Sequence, residues 1–581
     1  MREVDSLLGK NRESEGGSEA EYGFSVHRPS SARTTVATDF LHDLELTSDR
    51  DFVEPGVAAD SVEIPDSDDE GGTLEVGSNS IQAAELPADL PVSSSSITSY
   101  ASFVRAAASA GVGIPPLKPF SFSWRKLWAF TGPGWLMSIA YLDPGNLEAD
   151  LQTGVVAGYE LLWVLLVGTC IGFCLQMLAA RLGVVTGKNL AEVCRIKYDG
   201  RISKLLWIMT EVAIIGADIQ EVIGSAFAIN ILTMGYVPLW AGVLFTAIDT
   251  FAFLFLENYG IRKLEAFFCS LIAVMAITFG VEYVISSPSQ AEVLKGTFVP
   301  IMRRSNIGVA VGLIGAVIMP HNIYLHSALV QSRKVDRKSA SKVRDANVYF
   351  AIESAIALLV SFIINLFVVS VFAEAFHNER DEHLDIGLSQ AGHKLGARYG
   401  PVALYVWAIG LLAAGQSSTM TGTYAGQFVM EGFLRLKMPM WRRVLITRSV
   451  AIIPSVLVAA LVHNKLDALD QFINVLQSIQ LPFALLPVLK FTSDPHIMGI
   501  FRTPPVLAVI VWLLGASIIG INLIATLDSI GDLGSTAGQV VAYIVSVVYM
   551  IFILYLAVWD MISVPLFRFV RDRYKGKVEI E

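Results

Sequence analysis

The chain has 581 residues, of which 53% are hydrophobic and only 17% charged. Soluble domains carry nearer a quarter of charged residues, which argues against one large soluble enzyme. The net charge of −10 is uneven, because residues 1–118 hold 21 Asp/Glu against 8 Lys/Arg, a balance of −13 that leaves +3 on the remainder. An acidic tail is joined to an apolar body, and no basic domain points to nucleic-acid binding.

The tail, Met1 to about Lys118, is rich in Ser, Glu, Asp, Gly and Ala, with no apolar period long enough to bury a core. It is expected to be a disordered, acidic, cytosolic segment over 1–118. Met1–Glu19 lacks an apolar h-region, so no cleavable signal peptide is expected and targeting falls to the first membrane helix. Glu3-Val4-Asp5-Ser6-Leu7-Leu8 fits an acidic dileucine pattern, an endolysosomal or vacuolar address read by sorting adaptors. A chance match of a short motif is the equal alternative.

From Trp128 onward, apolar runs of about 20 residues recur, each long enough to cross a bilayer. Twelve are predicted, numbered here as spans 1–12: 128–157, 161–184, 205–232, 238–256, 264–285, 307–331, 347–373, 401–424, 442–462, 470–489, 505–525 and 538–559. Every even-to-odd loop is basic: Lys188, Arg195, Lys197, Arg201 and Lys204 follow span 2, Arg262 and Lys263 span 4, and Arg333, Lys334, Arg337, Lys338, Lys342 and Arg344 span 6. Arg435, Lys437, Arg442 and Arg443 follow span 8, and Arg568, Arg571, Arg573, Lys575 and Lys577 follow span 12. The 7–8 loop is acidic, with Glu374, Glu379, Asp381, Glu382 and Asp385; the 5–6 loop, with Lys295, Arg303 and Arg304, is the mild exception. The positive-inside rule then places both termini in the cytosol. A transporter domain over 119–565 is followed by a basic cytosolic tail, 566–581.

Spans 1 and 6 are interrupted in the same way. Span 1 contains Gly132-Pro133-Gly134 and then Ala140-Tyr141-Leu142-Asp143-Pro144-Gly145-Asn146; span 6 contains Gly315-Ala316-Val317-Ile318-Met319-Pro320-His321-Asn322. Proline at mid-membrane deletes a backbone donor and frees a carbonyl one turn earlier, near Ala140 and Ala316. Lipid cannot satisfy such groups, so non-helical backbone must line a cavity or be buried in protein. Paired interruptions at the start of two five-span sets point to a transporter site between inverted repeats. Asp143 offers a carboxylate, Asn146 an amide oxygen, the freed carbonyls two further oxygens, and Met319 a thioether. Sulfur beside oxygen favours softer first-row ions such as Mn²⁺, Fe²⁺ or Co²⁺ over Mg²⁺ and Ca²⁺.

Asp143-Pro144-Gly145-Asn146 and Met319-Pro320-His321-Asn322 resemble the two signature motifs of the Nramp family of proton-coupled divalent metal transporters. The resemblance runs from about Ser121 to Asp560 and includes Gly132-Pro133-Gly134, Leu256-Glu257-Asn258-Tyr259-Gly260 and Leu481-Pro482-Phe483-Ala484. It implies an all-α membrane protein with a LeuT-like 5+5 inverted repeat, broken helices 1 and 6, and two added helices. It implies metal ligation by Asp143, Asn146 and Met319 with the carbonyls of Ala140 and Ala316. A polar residue of span 10 joins in some states, and Asn474 or Gln477 is the candidate here.

Ionisable groups inside a membrane are functional candidates. Span 3 carries Glu211, Asp218 and Glu221 near one face, span 9 carries Arg448, and His321 follows the second break. A static ion-pair network is one reading. The other resembles the family's proton pathway, in which Asp143 gives up its proton to metal, Asp218, Glu221 and Arg448 carry it inward, and His321 tunes the gate.

Other groups suggest less. Gln416-Ser417-Ser418-Thr419 reads as helix packing, Asp249 and Glu265 as interfacial charges, and His377, His383 and His393 as solvated loop residues. Cys170, Cys174, Cys194 and Cys269 read as buried thiols. No nucleophile constellation and no GxxxxGKS phosphate loop occurs, so neither an enzyme nor an ATP-driven pump is expected. No resident cofactor is expected: metal and proton would be cargo, and the lipid bilayer the surroundings. A non-transporting metal sensor on the same membrane domain is the alternative, and an endolysosomal, vacuolar or plasma membrane the location.

Overall fold

The computed structural model describes residues 119–563, apart from 247, 249–260, 378–385, 436–441, 443–444, 447–448, 451, 454, 458–465 and 532–535. Several sequence readings therefore lie outside the described residues: the tail with Glu3, Leu7 and Leu8, Asp249, the motif at 256–260, the acidic stretch 379–385 with His383, Lys437, Arg443, Arg448, and the terminal segment 566–581.

Every regular element among the described residues is helical. Among the described residues nine helical segments are long and apolar enough to cross a membrane, and they coincide with spans 2, 3, 5, 6, 7, 8, 10, 11 and 12. Span 1, which runs as Trp124–Phe130, Pro133–Ile139 and Pro144–Gln152, is not in that set, and about half of spans 4 and 9 falls on residues outside the description. Several helices outrun their predicted ends, among them Gly200–Leu232, Ala340–Phe376 and Pro401–Leu434. Local capping extends two of them. The Asp199 side chain accepts from the backbone N–H of Arg201, and that of Ser339 from Lys342, which supplies acceptors to orphan first-turn donors.

Both predicted breaks are present. Span 1 is split into Pro133–Ile139 and Pro144–Gln152, and span 6 into Ile307–Val317 and Pro320–Leu329. In each case proline opens the second half, where its missing N–H and fixed φ suit a helix start. Between the halves of span 1 the chain tightens into i→i−3 bonds, from Ala140 to Met137, Tyr141 to Ser138 and Leu142 to Ile139. Span 10 holds a further interruption, between Leu466–Gln480 and Pro482–Ser493. Pro482 cannot donate to the Ser478 carbonyl, which instead accepts from Leu481 N–H at 3.3 Å and from Asn522 Nδ2 of span 11 at 2.9 Å.

The interrupted helices lie inside the bundle. Span 8 packs along span 3 and span 5, while span 7 runs beside both halves of span 1. Ser417, Ser418 and Thr419 are buried and bond to carbonyls of their own helix, in keeping with a packing role. The cysteine expectation is corrected for three residues: Cys194 is buried, but Cys170 and Cys174 are exposed on span 2 and Cys269 is half-buried. A hydrophobic run cannot distinguish residues on the outer surface of a membrane bundle from residues buried in protein. His377 and His393 are exposed, but His393 stands on the helix Leu388–Tyr399 and not in an irregular loop, which corrects the expectation for that residue.

Candidate functional site

Asp143 caps the second half of span 1. Its backbone is extended, and its Oδ1 accepts from both the backbone N–H and the Nδ2 of Asn146, each at 2.8 Å. This fixes the amide so that Asn146 Oδ1 is left without a hydrogen-bond partner. The carbonyl of Ala140 loses its helical donor to Pro144 and meets only long contacts from Asn146 Nδ2 at 3.4 Å and Asn322 Nδ2 at 3.5 Å. Asn322 belongs to span 6, so the two breaks meet at this carbonyl. Asp143, Asn146 and Asn322 are all buried, and Asn322 Oδ1 is also unpartnered.

On the facing side, Met319 is a buried, extended residue at the start of Pro320–Leu329. Pro320 withholds the N–H that the Ala316 carbonyl would otherwise accept, and the first half of span 6 ends at Val317. Asn474 of span 10 reaches the same region, with Nδ2 3.3 Å from the Gly145 carbonyl. Gln477 sits about a turn further on and donates to Gln220 Oε1 at 2.8 Å, leaving its own Oε1 unpartnered. Two glycines permit this approach. A Cβ at Gly315 would overlap Ser478 of span 10, and one at Gly224 would overlap the ring of Pro144. Among the described residues no three His, Cys, Asp or Glu side chains gather into a metal cage. The donors at the breaks are instead a single carboxylate, amides, freed carbonyls and a thioether.

Asp218 and Glu221 come together as their spacing predicts. Both are buried, and an ideal Cβ on Gly422 of span 8 would lie 2.7 Å from Asp218 Oδ1 and 3.2 Å from Glu221 Oε1. Glu211 lies apart from them, half-buried, accepting from Trp207 Nε1 at 2.8 Å. His321 is buried one residue past the break, with Nδ1 unpartnered. Arg448 is outside the described residues.

Sequence reasoning missed four groups. Gln220 donates from Nε2 to Asn474 Oδ1 and to the Asp470 carbonyl, both at 3.0 Å, and so ties span 3 to span 10 beside Gly145. Span 7 holds the first break through Ser361 Oγ on the Ser138 carbonyl at 2.9 Å and Asn365 Nδ2 on the Tyr141 carbonyl at 2.8 Å. His326, one turn beyond Asn322, is fully buried with neither ring nitrogen partnered. Glu353 accepts from the backbone N–H groups of Gly132 and Gly134 at the other end of Pro133–Ile139. Glu265, expected as an interfacial charge, is instead buried beside it, 2.7 Å from Arg333 and 3.3 Å from Arg262. Both arginines also donate to the Thr131 carbonyl. A polar residue on an apolar helix is the only sequence signal these groups give.

Known proteins are similar to this chain over much of its length. The profile of the Nramp family, described as natural resistance-associated macrophage protein-like, matches residues 134–528. The Dictyostelium discoideum protein named metal transporter nramp1 homolog is 67% identical over 377 residues, 65% of this chain and 70% of its own. Human natural resistance-associated macrophage protein 2 is 55% identical over 471 residues, 77% of this chain and 83% of its own. The solved structure of an Eremococcus coleocola manganese transporter, with an aromatic bis-isothiourea substituted compound, aligns with a TM-score of 0.69 at 32% identity. That alignment covers 77% of this chain and 97% of the other. With two proline-broken helices meeting at Ala140 and a family match over most of its length, the chain is an integral membrane protein of the Nramp family, with its LeuT-like helical fold.

Proposed function

We propose that the chain is a secondary transporter that moves divalent transition-metal ions, Fe²⁺, Mn²⁺ and similar, with protons into the cytosol. One observation carries the reading. At the meeting of two broken helices, Asn146 Oδ1 and Asn322 Oδ1 are buried without partners beside the Asp143 carboxylate and the Ala140 carbonyl. Leaving buried polar atoms unpaired costs ~1–3 kcal/mol each. A cation that loses part of its hydration shell would use those oxygens, and only while it passes. Relatives named as metal transporters and a manganese transporter of the same fold support the cargo class.

In this reading Asp143, Asn146, Met319 and the carbonyls of Ala140 and Ala316 hold the ion, and Asn474 or Gln477 of span 10 closes the shell. Metal binding expels the proton of Asp143. Asp218 and Glu221, paired over Gly422, carry it onward with Arg448, and His321 tunes the gate. The domain spans 119–565 with both termini cytosolic, in an endolysosomal, vacuolar or plasma membrane selected by adaptors at Glu3, Leu7 and Leu8.

The test is paired Mn²⁺ and proton flux in liposomes across a pH series. Asp143→Ala abolishes both fluxes. Asp218→Asn, Glu221→Gln and Arg448→Ala change the pH dependence more than the metal affinity. Wild-type uptake by a folded Asp143→Ala protein would overturn the site, and a wild-type chain that binds but never carries metal would make the domain a sensor.

A further inference from the structure

Asp150 lies in the second half of span 1 and is fully buried, yet neither carboxylate oxygen has a hydrogen-bond partner. No ion pair to it occurs among the described residues, and the charge that acts on it, that of Asp143, is also negative. A buried carboxylate normally stays in a protein through its partners. Glu148, two residues earlier, shows the structural use. Its Oε1 accepts from Gln152 Nε2 at 2.8 Å, and its Oε2 accepts from the N–H of Leu388 at 2.9 Å, which starts the helix Leu388–Tyr399. Asp150 does nothing of that kind.

Its position explains what it can do. In Pro144–Gln152, residues four apart share a face, so Asp150 stands over Asn146, whose Oδ1 is likewise buried and unpartnered. At 1.5 Å per residue the two lie about 6 Å apart along the axis, and Asp150 lies about 10 Å from Asp143. The step leads away from the Gly132–Glu353 end of the helix. A file of three oxygen donors, Asp150, Asn146 and Asp143, thus descends one helix face, with the net negative charge uncompensated by any described cation.

We propose that Asp150 is a second cation station on the outer arm of the route, where a divalent metal loses part of its water before it passes to Asn146 and Asp143. This rests on the transport reading above. Oxygen donors alone discriminate little between hard and soft ions, so the station sets capture and not selectivity. Glutamate at the position keeps the charge and asparagine removes it at nearly constant size.

The experiment counts Mn²⁺ bound to the purified full chain in lipid nanodiscs by electron paramagnetic resonance, alongside uptake. Asp143→Asn retains one weaker Mn²⁺, and Asp143→Asn with Asp150→Asn retains none. Asp150→Asn alone raises KM for uptake about tenfold with the maximal rate near wild type, and Asp150→Glu restores it. Equal binding by the single and double variants overturns the station, as does a wild-type KM in Asp150→Asn. If Asp150→Asn fails to fold by its melting profile, Asp150→Glu in the Asp143→Asn background decides, since loss of the weak site there is fatal to the proposal. A chain that holds Mn²⁺ at Asp150 and never carries it refutes transport but keeps the station.

Discussion

Replacing Glu353 by Ala should loosen the N-terminal half of span 1 before it affects any other helix. That half, Pro133–Ile139, begins at Gly132, whose φ is +144°, and its first free donors are the N–H groups of Gly132 and Gly134. Both donate to Glu353 Oε1, and Pro133 between them has no N–H to offer. A carboxylate at a helix N-terminus also complements the helix dipole. Alanine removes the acceptor from two buried donors at ~1–3 kcal/mol each, about 2–6 kcal/mol in all. Glutamine keeps one carbonyl acceptor and should lose much less. Every ~1.4 kcal/mol is a factor of ten in an equilibrium constant, so opening of this segment should become at least about thirtyfold more frequent in the alanine variant. Hydrogen exchange followed by mass spectrometry reports it directly, on peptides covering 129–140, with the peptide over Leu206–Ala213 as the internal reference. Arg262 and Arg333 still hold the Thr131 carbonyl, so the segment should loosen without detaching. Unchanged exchange over 129–140 in a folded Glu353→Ala protein would refute the argument that these two bonds fasten the helix. Equal acceleration of the reference peptide would show a global loss of stability instead.

Two further outcomes are expected. Met319→Ala should keep Mn²⁺ uptake while Ca²⁺ competes about tenfold better, a differential of ~1.4 kcal/mol, because the remaining donors are oxygens that a hard ion accepts; competition no better than in the wild type would make Met319 a packing residue. Replacing Leu7 and Leu8 by Ala should move the protein to a different membrane in fluorescence images without altering transport per molecule, and an unchanged distribution would leave the dileucine match to chance.

The interrupted helices were legible because proline acts locally. Pro144 and Pro320 remove a donor wherever they stand, and an apolar span that contains one must break or be compensated. The acids of span 3 were legible in part. Spacing alone placed Asp218 and Glu221 on one face, but the same arithmetic included Glu211, which Trp207 of its own helix satisfies. What decides between them is Gly422, a residue of another helix whose missing side chain leaves room for both carboxylates. The network at Gly132 was illegible for the same reason. Glu265 of span 5 read as an interfacial charge, Arg333 as a cation of the 6–7 loop, and Glu353 of span 7 drew no reading at all, because their ends meet only in the folded chain. Pattern reasoning finds the polar atom but not its partner, because the partner arrives by tertiary packing. The consequence is sharpest at Asp150 and Glu148, two acids in one helical turn of span 1. Sequence treats them alike, whereas one is bonded to Gln152 and Leu388 and the other finds no hydrogen-bond partner among the described residues. A buried carboxylate without hydrogen-bond partners has no structural reason to stay, which is why the proposed cation station is tested at Asp150 and not at Glu148.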